Sequence, residues 1–300
     1  MGEFPKWKHE LPSFPFAVIN TPLTSLTEYY REHLRRDVRD SRLQPPDYWV
    51  TIRGFLISAT QTYSAICILL ADKRPKPLML QAAILCRSLL ETLGNLLVLT
   101  QAPKSRMRVL VREGYKNHAL TYRRLASRYG KIPKWKEYLD VYEKGLRLGA
   151  AQIHLSRAWA RNPTLIPDRW PTPGVAIYGD KRRNLPPLLR GNRRRFFKEF
   201  YDFHYGRQSE QAHQRASAVG VALLVENPEE QWNPGGGESN IVSTAMLFLT
   251  CILSEIEILG KFRPHPKLRE VWTYLQQLDD EAKDVWKLRY RRLLKTSVNA

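Results

Sequence analysis

The stretch LMLQAAILCRSLLETLGNLLVLT, residues 78–100, decides the fold class of this 300-residue chain. Its apolar residues recur three and four positions apart over about six turns, which is the period of an α-helix and too long for a strand. Within it only Arg87 and Glu91 are charged, so most of this helix must be covered by other elements. The sequence therefore predicts an all-α protein built around this segment.

Helical periods on both sides extend this prediction along the chain. Further helices are expected over about 48–72, 105–129, 133–157, 188–225, 239–259 and 267–295, with an irregular Pro-rich stretch at 163–187 and a loop at 227–237. We expect three parts: an irregular Pro-rich N-terminal arm (1–46) with a short helical stretch near 26–39, a single helical bundle (47–262) that includes a basic linker (158–190), and a C-terminal amphipathic helix (263–300). The apolar seam of that last helix is Val271, Leu275, Leu278, Ala282 and Val285.

The cysteines and the uncharged runs bear on the compartment. Cys67, Cys86 and Cys251 each lie within an apolar run, so this odd number predicts free core thiols in a reducing compartment. The runs Gly54–Ala71 and Ser239–Ser254 are either rich in polar residues or short for a bilayer core of roughly 30 Å. We interpret both as buried helices, and expect a soluble cytoplasmic protein without integral membrane association.

Motifs of cofactor and metal chemistry are not found in the sequence. It contains no GxxxxGK[ST], GxSxG or HExxH motif, and its seven histidines form no convincing ligand spacing. The glycines at 235–237 lack the following lysine of a phosphate-binding loop. We therefore expect no metal and no cofactor.

The charge of the chain points to a polyanionic partner, either nucleic acid or an anionic membrane. The net charge is +19, and residues 161–198 hold ten Lys and Arg against two acids, interleaved with aromatic residues. Phosphate contacts and base stacking suit RNA. The expected nucleic-acid contacts are Arg182, Arg183, Arg193, Arg194, Arg195 and Lys198. The alternative is a solvated basic face on a generally basic protein.

Two sets of polar residues lie where helices pack. Arg87 and Glu91 are four residues apart and therefore lie on one helical face. They form either an intrahelical ion pair on an exposed stripe or a polar site between helices. Tyr205, Ser209 and His213 follow one stripe of a later helix, with Arg207 nearby.

Arg207 and His213 also show the spacing of an arginine followed four to six residues later by histidine. Arg112 with His118 and Arg147 with His154 show the same spacing, so the spacing alone does not single out a site in so basic a chain. The context of Arg207 and His213 is what distinguishes this pair.

The segment Arg87-Ser88-Leu89-Leu90-Glu91, followed by the Tyr205/Ser209/His213 helix and another apolar helix, resembles a bacterial domain-of-unknown-function family. That family has an Arg-Ser-x-x-Glu helix and a later Tyr/Ser/His helix, and it is distantly similar to the HEPN ribonuclease superfamily. The resemblance covers about residues 48–259. It implies an all-α, usually dimeric protein that cleaves RNA without metal, by attack of the 2′-hydroxyl on the adjacent phosphate.

The resemblance also implies roles for individual residues. His213 would be the general base or acid, and Arg207 would stabilise charge on the phosphorane. Gln208 is a departure, because the more familiar motif often has Asn directly after the arginine.

Four further residues complete the expected catalytic set. Ser209 and Tyr205 would orient the imidazole or contact phosphate, and Glu91, held by Arg87, would fix the imidazole tautomer. The leading hypothesis is thus an RNA-binding helical protein with metal-independent endoribonuclease activity in a defence or toxin context, acting as a homodimer. The alternatives are a non-catalytic helical binding or scaffold protein with a structural polar cluster and, more weakly, a peripheral membrane protein.

Overall fold

The computed structural model describes residues 22–34, 46–71, 77–167, 169–205, 234–260, 265–278 and 280–291. These residues are largely helical, and an isolated antiparallel bridge between Asp180 and Leu185 is the β pairing found among them. The predicted all-α class is confirmed.

Eleven α-helices account for most of the described residues. They are α1 (22–34), α2 (Pro46–Ala71), α3 (Pro77–Gln101), α4 (Pro103–Tyr129), α5 (Pro133–Gln152), α6 (Arg157–Arg161), α7 (Pro173–Tyr178), α8 (Gly191–Phe200), α9 (Pro234–Gly260), α10 (Pro266–Leu278) and α11 (Asp280–Val285). Helices α8 and α11 continue as wider π-helical turns over Tyr201–Tyr205 and Trp286–Tyr290. Most helices begin at a proline, because the first helical position needs no N–H and proline already has the helical φ.

The chain divides into two compact units. Unit 1 comprises Met1–Gln101 with Pro173–Ala300, and unit 2 comprises Ala102–Thr172. The basic linker expected at 158–190 is therefore shared between the two units. The division expected at residues 46 and 262 stays a prediction.

Unit 1 is built around α2, α3 and α9, which pack against one another. The inward faces of α3 and α9 are mostly apolar, with Leu93, Leu97 and Ile252 fully buried, and α9 also buries Glu255 and Glu257. Helix α1 also belongs to this core, because Leu26 and Tyr30 have no exposed surface. Each such side chain contributes about 1.5–3 kcal/mol through burial. The described part of the N-terminal arm is thus a packed helix, which overlaps the short helical stretch expected near 26–39.

Helix α5 is shorter than the sequence predicts, ending at Gln152 instead of near 157. His154 adopts a positive φ of 51°, which no α-helix tolerates. The Ser156 hydroxyl then accepts the N–H of Trp159 and so caps α6. The stretch expected to be irregular also contains a regular element, the six-residue helix α7.

Helix α9 begins earlier than expected, at Pro234 rather than near Ser239. The loop predicted over 227–237 is therefore wrong from residue 234 onward, because the proline favours the first helical position over the following glycines. Residues 227–233 of that prediction lie outside the described residues.

The C-terminal amphipathic helix is present as α10, α11 and the π-helical turn. Val271, Leu275, Ala282 and Val285 of the predicted seam are buried, whereas Leu278 is half-buried. The seam packs within the chain, and α10 contacts α9.

Three helical segments are long and apolar enough to cross a membrane by length and composition: Val50–Leu70, Gln81–Gln101 and Ile241–Gly260. The last two are mostly buried within the protein, at 67% and 78%, against 33% for the first. The three cysteines are free and buried, and burial raises the pKa of Cys67 to about 11 and of Cys86 to about 12. The core-thiol prediction is confirmed, whereas a cytoplasmic location stays a prediction.

Candidate functional site

The site begins at a close approach between α3 and α8. Gly94 lies two turns after Arg87 on α3, and the buried ring of Phe197 from α8 fills the space beside it. A Cβ atom at residue 94 would lie 2.5 Å from Phe197 Cζ. Glycine therefore lets α8 pack closely, and the π-helical turn that follows α8 also contacts α3.

This packing brings Tyr205 to the charged pair on α3. Arg87 donates from Nε to Glu91 Oε1 at 3.0 Å and from Nη2 to the Tyr205 hydroxyl at 2.7 Å. Its guanidinium carbon also lies 4.5 Å from the centroid of the Tyr205 ring. The side chains of Arg87 and Glu91 are 21% and 40% exposed, so the group is accessible from solvent. We call Arg87, Glu91, Tyr201 and Tyr205 the Arg87–Tyr205 cluster.

The π-helical turn stacks the two tyrosines of the cluster. The rings of Tyr201 and Tyr205 are 4.4 Å apart and inclined by 17°. Burial, together with the neighbouring phenols of Tyr205 and Tyr178, raises the pKa of Tyr201 to about 12, so it stays a neutral donor at physiological pH. Single π-helical turns are frequent at functional sites because they re-aim side chains.

A second polar group adjoins the cluster through Tyr178. Tyr178 donates its hydroxyl to Asp202 Oδ1, and Lys198 Nζ donates to Asp202 Oδ2 at 2.5 Å. The ring centroids of Tyr178 and Tyr201 are 6.2 Å apart. Burial disfavours the charged carboxylate of Asp202, but the bonds from Lys198 and Tyr178 outweigh it and lower the pKa of Asp202 below its ordinary value. Lys198 and Asp202 thus form a charged pair beside the aromatic stack.

The structure therefore brings together three of the residues expected in the site: Arg87, Glu91 and Tyr205. The intrahelical ion pair and the polar contact between helices both exist, since the same guanidinium makes both bonds. The other three, Arg207, Ser209 and His213, lie outside the described residues.

Two of the basic residues expected to contact nucleic acid, Arg193 and Arg194, are half-buried. Arg194 donates from Nε to the Ile177 carbonyl at 2.7 Å, which ties α8 to α7. Arg193 is half-buried, and burial together with repulsion from Arg289 lowers its pKa. Both arginines are thus held within the fold of unit 1.

Three of the remaining four residues of that set, Arg182, Arg195 and Lys198, are exposed. Arg195 pairs with Glu199 at 3.5 Å, and Lys198 pairs with Asp202. Arg182 is exposed in a short turn that Asp180 caps by accepting its backbone N–H. The side chain of Arg183 lies outside the described part of the chain. Acids within four residues thus offset much of this local charge.

Two buried polar pairs were not expected from the sequence. His204 is 8% exposed, and its Nε2 lies 3.0 Å from Glu281 Oε1, which links the π-helical turn to α11. Glu257 accepts the Tyr30 hydroxyl at 2.5 Å and the backbone N–H of His265 at 3.1 Å. Periodicity alone could not identify these partners, because they are far apart in sequence.

A third buried set joins α9 to the C-terminal segment. Arg289 donates to both carboxylate oxygens of Glu255, and Tyr290 donates to Glu255 Oε1 at 2.9 Å. Burial opposes the charge on Arg289, but Glu255 more than compensates and raises the Arg289 pKa. The signal for this pair was an acid at the end of a long uncharged run in an apolar helix, since Glu255 and then Glu257 follow that run.

Neither a metal-binding cluster nor a similar protein identifies this site. Among the residues that the structure describes, no group of three or more His, Cys, Asp or Glu lies close enough to hold a metal ion. No protein-family model, curated protein or solved structure matches this chain.

Proposed function

We propose that this chain is an RNA-binding helical protein in which the Arg87–Tyr205 cluster, together with Arg207, Ser209 and His213, forms a metal-independent endoribonuclease site. The observation that carries the proposal is the 2.7 Å bond between Arg87 and the Tyr205 hydroxyl. It joins the two motifs on which the HEPN-like resemblance rests, although they are 118 residues apart in sequence.

The guanidinium of Arg87 is suited to a phosphate. It has five N–H donors, of which Glu91 Oε1 and the Tyr205 hydroxyl take two. Its charge is partly exposed, and Glu91 fixes its orientation. An arginine held in this way donates to phosphate oxygens with little loss of side-chain entropy.

In the proposed reaction the ribose 2′-hydroxyl attacks the adjacent phosphorus and the 5′-oxygen of the next nucleotide leaves. His213 either takes the 2′-hydroxyl proton, with water protonating the leaving oxygen, or protonates the leaving oxygen, with water taking the 2′-hydroxyl proton. Arg207 and Arg87 stabilise the negative charge on the phosphorane. The products are a 2′,3′-cyclic phosphate and a 5′-hydroxyl end, and no metal takes part.

The test is cleavage of mixed RNA by the purified full chain in EDTA. We expect His213→Ala to lose about 10²-fold or more in rate, as the loss of a general acid or base does. The matched control is His118→Ala, because His118 follows Arg112 at the same six-residue spacing that separates Arg207 and His213. His118→Ala should cleave at the wild-type rate and leave 5′-hydroxyl ends.

Arg87→Gln and Tyr205→Phe test the cluster itself. Both should slow cleavage while the free energy of unfolding changes by only about 1 kcal/mol, because the broken bonds are half-exposed. Equal cleavage by His213→Ala and wild type would overturn the catalytic proposal, as would loss of activity in His118→Ala.

A non-catalytic helical binding or scaffold protein is the second candidate, and one observation favours it. Arg87 bonds both Glu91 and Tyr205, as Glu255 bonds both Arg289 and Tyr290 in the core, and contacts of this kind are those of a structural polar cluster. RNA binding without cleavage by any variant would favour this candidate. The resemblance also makes a second copy of the chain a proposed partner, which light scattering tests directly.

A further inference from the structure

We infer that unit 2 carries the principal RNA-binding surface, on helices α4 and α6, and that it contacts the phosphate backbone. The inference rests on the proposed RNA-binding function and assigns a surface to it. We call Arg112, Lys116, Arg123, Arg157 and Arg161 the α4–α6 basic patch.

The charge of unit 2 is the first support. Residues 102–172 contain sixteen Lys and Arg against five Asp and Glu, a net +11, which exceeds half of the whole chain's +19. Helix α4 alone, at Pro103–Tyr129, has eight basic residues and one acid, Glu113. Like charges at helical spacing destabilise a helix by about 0.2–0.5 kcal/mol per pair, so folding alone does not account for them.

Tertiary contacts concentrate this charge on one side of α4. Arg123 donates from Nη2 to the Arg161 carbonyl and, at 3.5 Å, from Nη1 to Asn162 Oδ1. Lys116 donates to the Ile166 carbonyl at 2.7 Å. These bonds hold the segment that contains α6 against α4, so basic side chains more than thirty residues apart become neighbours.

The acceptors of Lys116 and Arg123 named above are neutral, so these two cations keep their charge. Arg123, Arg157 and Arg161 are exposed, and none has a carboxylate at ion-pairing distance among the residues that the structure describes. The ion pair found within the described part of unit 2, Arg147 with Glu143, lies on α5. In unit 1, by contrast, Arg195 and Lys198 have acidic partners.

The composition of the patch favours RNA over a bilayer. Most of its cations are arginines, whose planar guanidinium matches phosphate, and Arg112 stacks over Trp159 at 5.0 Å from the ring centroid. Neither α4 nor α6 has an exposed large apolar side chain among its described residues, and Leu165 in the following turn is 55% exposed. A helix that binds in a membrane interface needs such an apolar face.

The test measures binding of the full chain to a single-stranded 2′-O-methyl RNA, which lacks the attacking hydroxyl and cannot be cleaved. The patch variant is Arg123→Gln/Arg157→Gln/Arg161→Gln. Loss of three phosphate contacts should make the slope of log association constant against log salt concentration less negative by about 2. At any salt concentration from about 50 to 200 mM, binding should be about tenfold weaker or more. The matched control, Lys134→Gln/Lys136→Gln/Lys144→Gln on α5, removes the same charge from exposed positions of unit 2 and should keep most of the affinity.

A second variant keeps the test independent of folding. Arg157→Gln/Arg161→Gln keeps both acceptors of Arg123, the Arg161 carbonyl and the Asn162 side chain. It should make the salt slope less negative by about 1.4 and leave the melting temperature unchanged. Wild-type affinity in the patch variants, or an equal loss in the α5 control, would overturn the inference. The inference would also be overturned if the patch variants bound RNA like wild type but no longer floated with vesicles of phosphatidylglycerol and phosphatidylcholine.

The outcomes separate this inference from the proposed catalysis. If cleavage depends on His213 but the patch variants bind RNA like wild type, the inference about unit 2 is wrong and the proposed ribonuclease activity stands. If RNA binding depends on the α4–α6 basic patch but wild type cleaves no RNA, the inference is supported and the proposed ribonuclease activity is wrong.

Discussion

Glu257 shows how a single buried carboxyl sets a pH dependence. The side chain is 2% exposed on α9, and it accepts hydrogen bonds from Tyr30 of α1 and from the backbone of His265. Burial raises its pKa from 4.5 to about 7, although both hydrogen bonds oppose the shift. A carboxyl with a raised folded-state pKa stabilises the fold fully below its unfolded value, and this contribution is lost as the pH rises through the folded value.

We therefore expect the free energy of unfolding to fall between about pH 5 and pH 8, and Glu257→Gln to remove this part of the decline. The shift corresponds to about 3 kcal/mol, because each pKa unit equals about 1.4 kcal/mol. Urea unfolding of both proteins at several pH values measures the difference. The variant should be the more stable protein at pH 8, and parallel pH profiles would contradict the assignment.

At the scale of elements, the pairing of α3 with α8 positions the candidate site. Gly94 and the ring of Phe197 set the distance between these helices, and Arg87 meets the π-helical turn as a result. Glycine is ordinarily unfavourable within a helix by about 0.5–1 kcal/mol relative to alanine. Here that cost is offset by the close packing of a buried aromatic ring.

Gly94→Ala should thus destabilise the protein by about 1–3 kcal/mol, because the new methyl group overlaps Phe197 in a packed interior. The matched control is Gly54→Ala on α2, where no heavy atom lies within 4 Å of the added Cβ. That substitution should stabilise by about 0.5–1 kcal/mol through helix propensity. Thermal unfolding of both variants gives the comparison, and shifts of the same sign would show that Phe197 moves freely.

At the scale of the whole molecule, the two units differ in their cores. Unit 1 has a dense apolar interior, in which Leu89, Leu96 and Leu247 are fully buried. The buried residues of unit 2 are few and mostly small or isolated, such as Ala119, Leu139 and Ile166 among those described. Local stability follows the number of buried apolar contacts.

Amide hydrogens of α4 and α5 should therefore exchange with solvent faster than those of α3 and α9. Hydrogen-exchange mass spectrometry of the full chain measures this, with peptides from residues 89–99 and 245–256 as the internal reference. Bound RNA should slow exchange in unit 2, because a ligand that binds only the folded state stabilises it. Equal protection of all four helices would contradict the difference between the cores.

The sequence by itself determined the helices. Long apolar periods and the prolines before them locate α2, α3 and α4, because helix formation depends on neighbours three and four residues apart. The same local rule accounts for the buried seam of the C-terminal helix and for the Arg87–Glu91 pair. It also explains the errors, since the positive φ of His154 and the cap at Ser156 end α5 without a change in hydropathy.

Only the tertiary structure decided which polar residues meet. Arg87 with Tyr205, His204 with Glu281, and Arg289 with Glu255 are separated in sequence by 118, 77 and 34 residues. Such pairs leave no periodic signal, because burying a charge requires a specific partner that any distant segment can supply. The same reason applies to charge: the total of +19 is a sum over the sequence, and acids four residues away offset it locally around α8. Only tertiary contacts bring the basic side chains of α4 and α6 together.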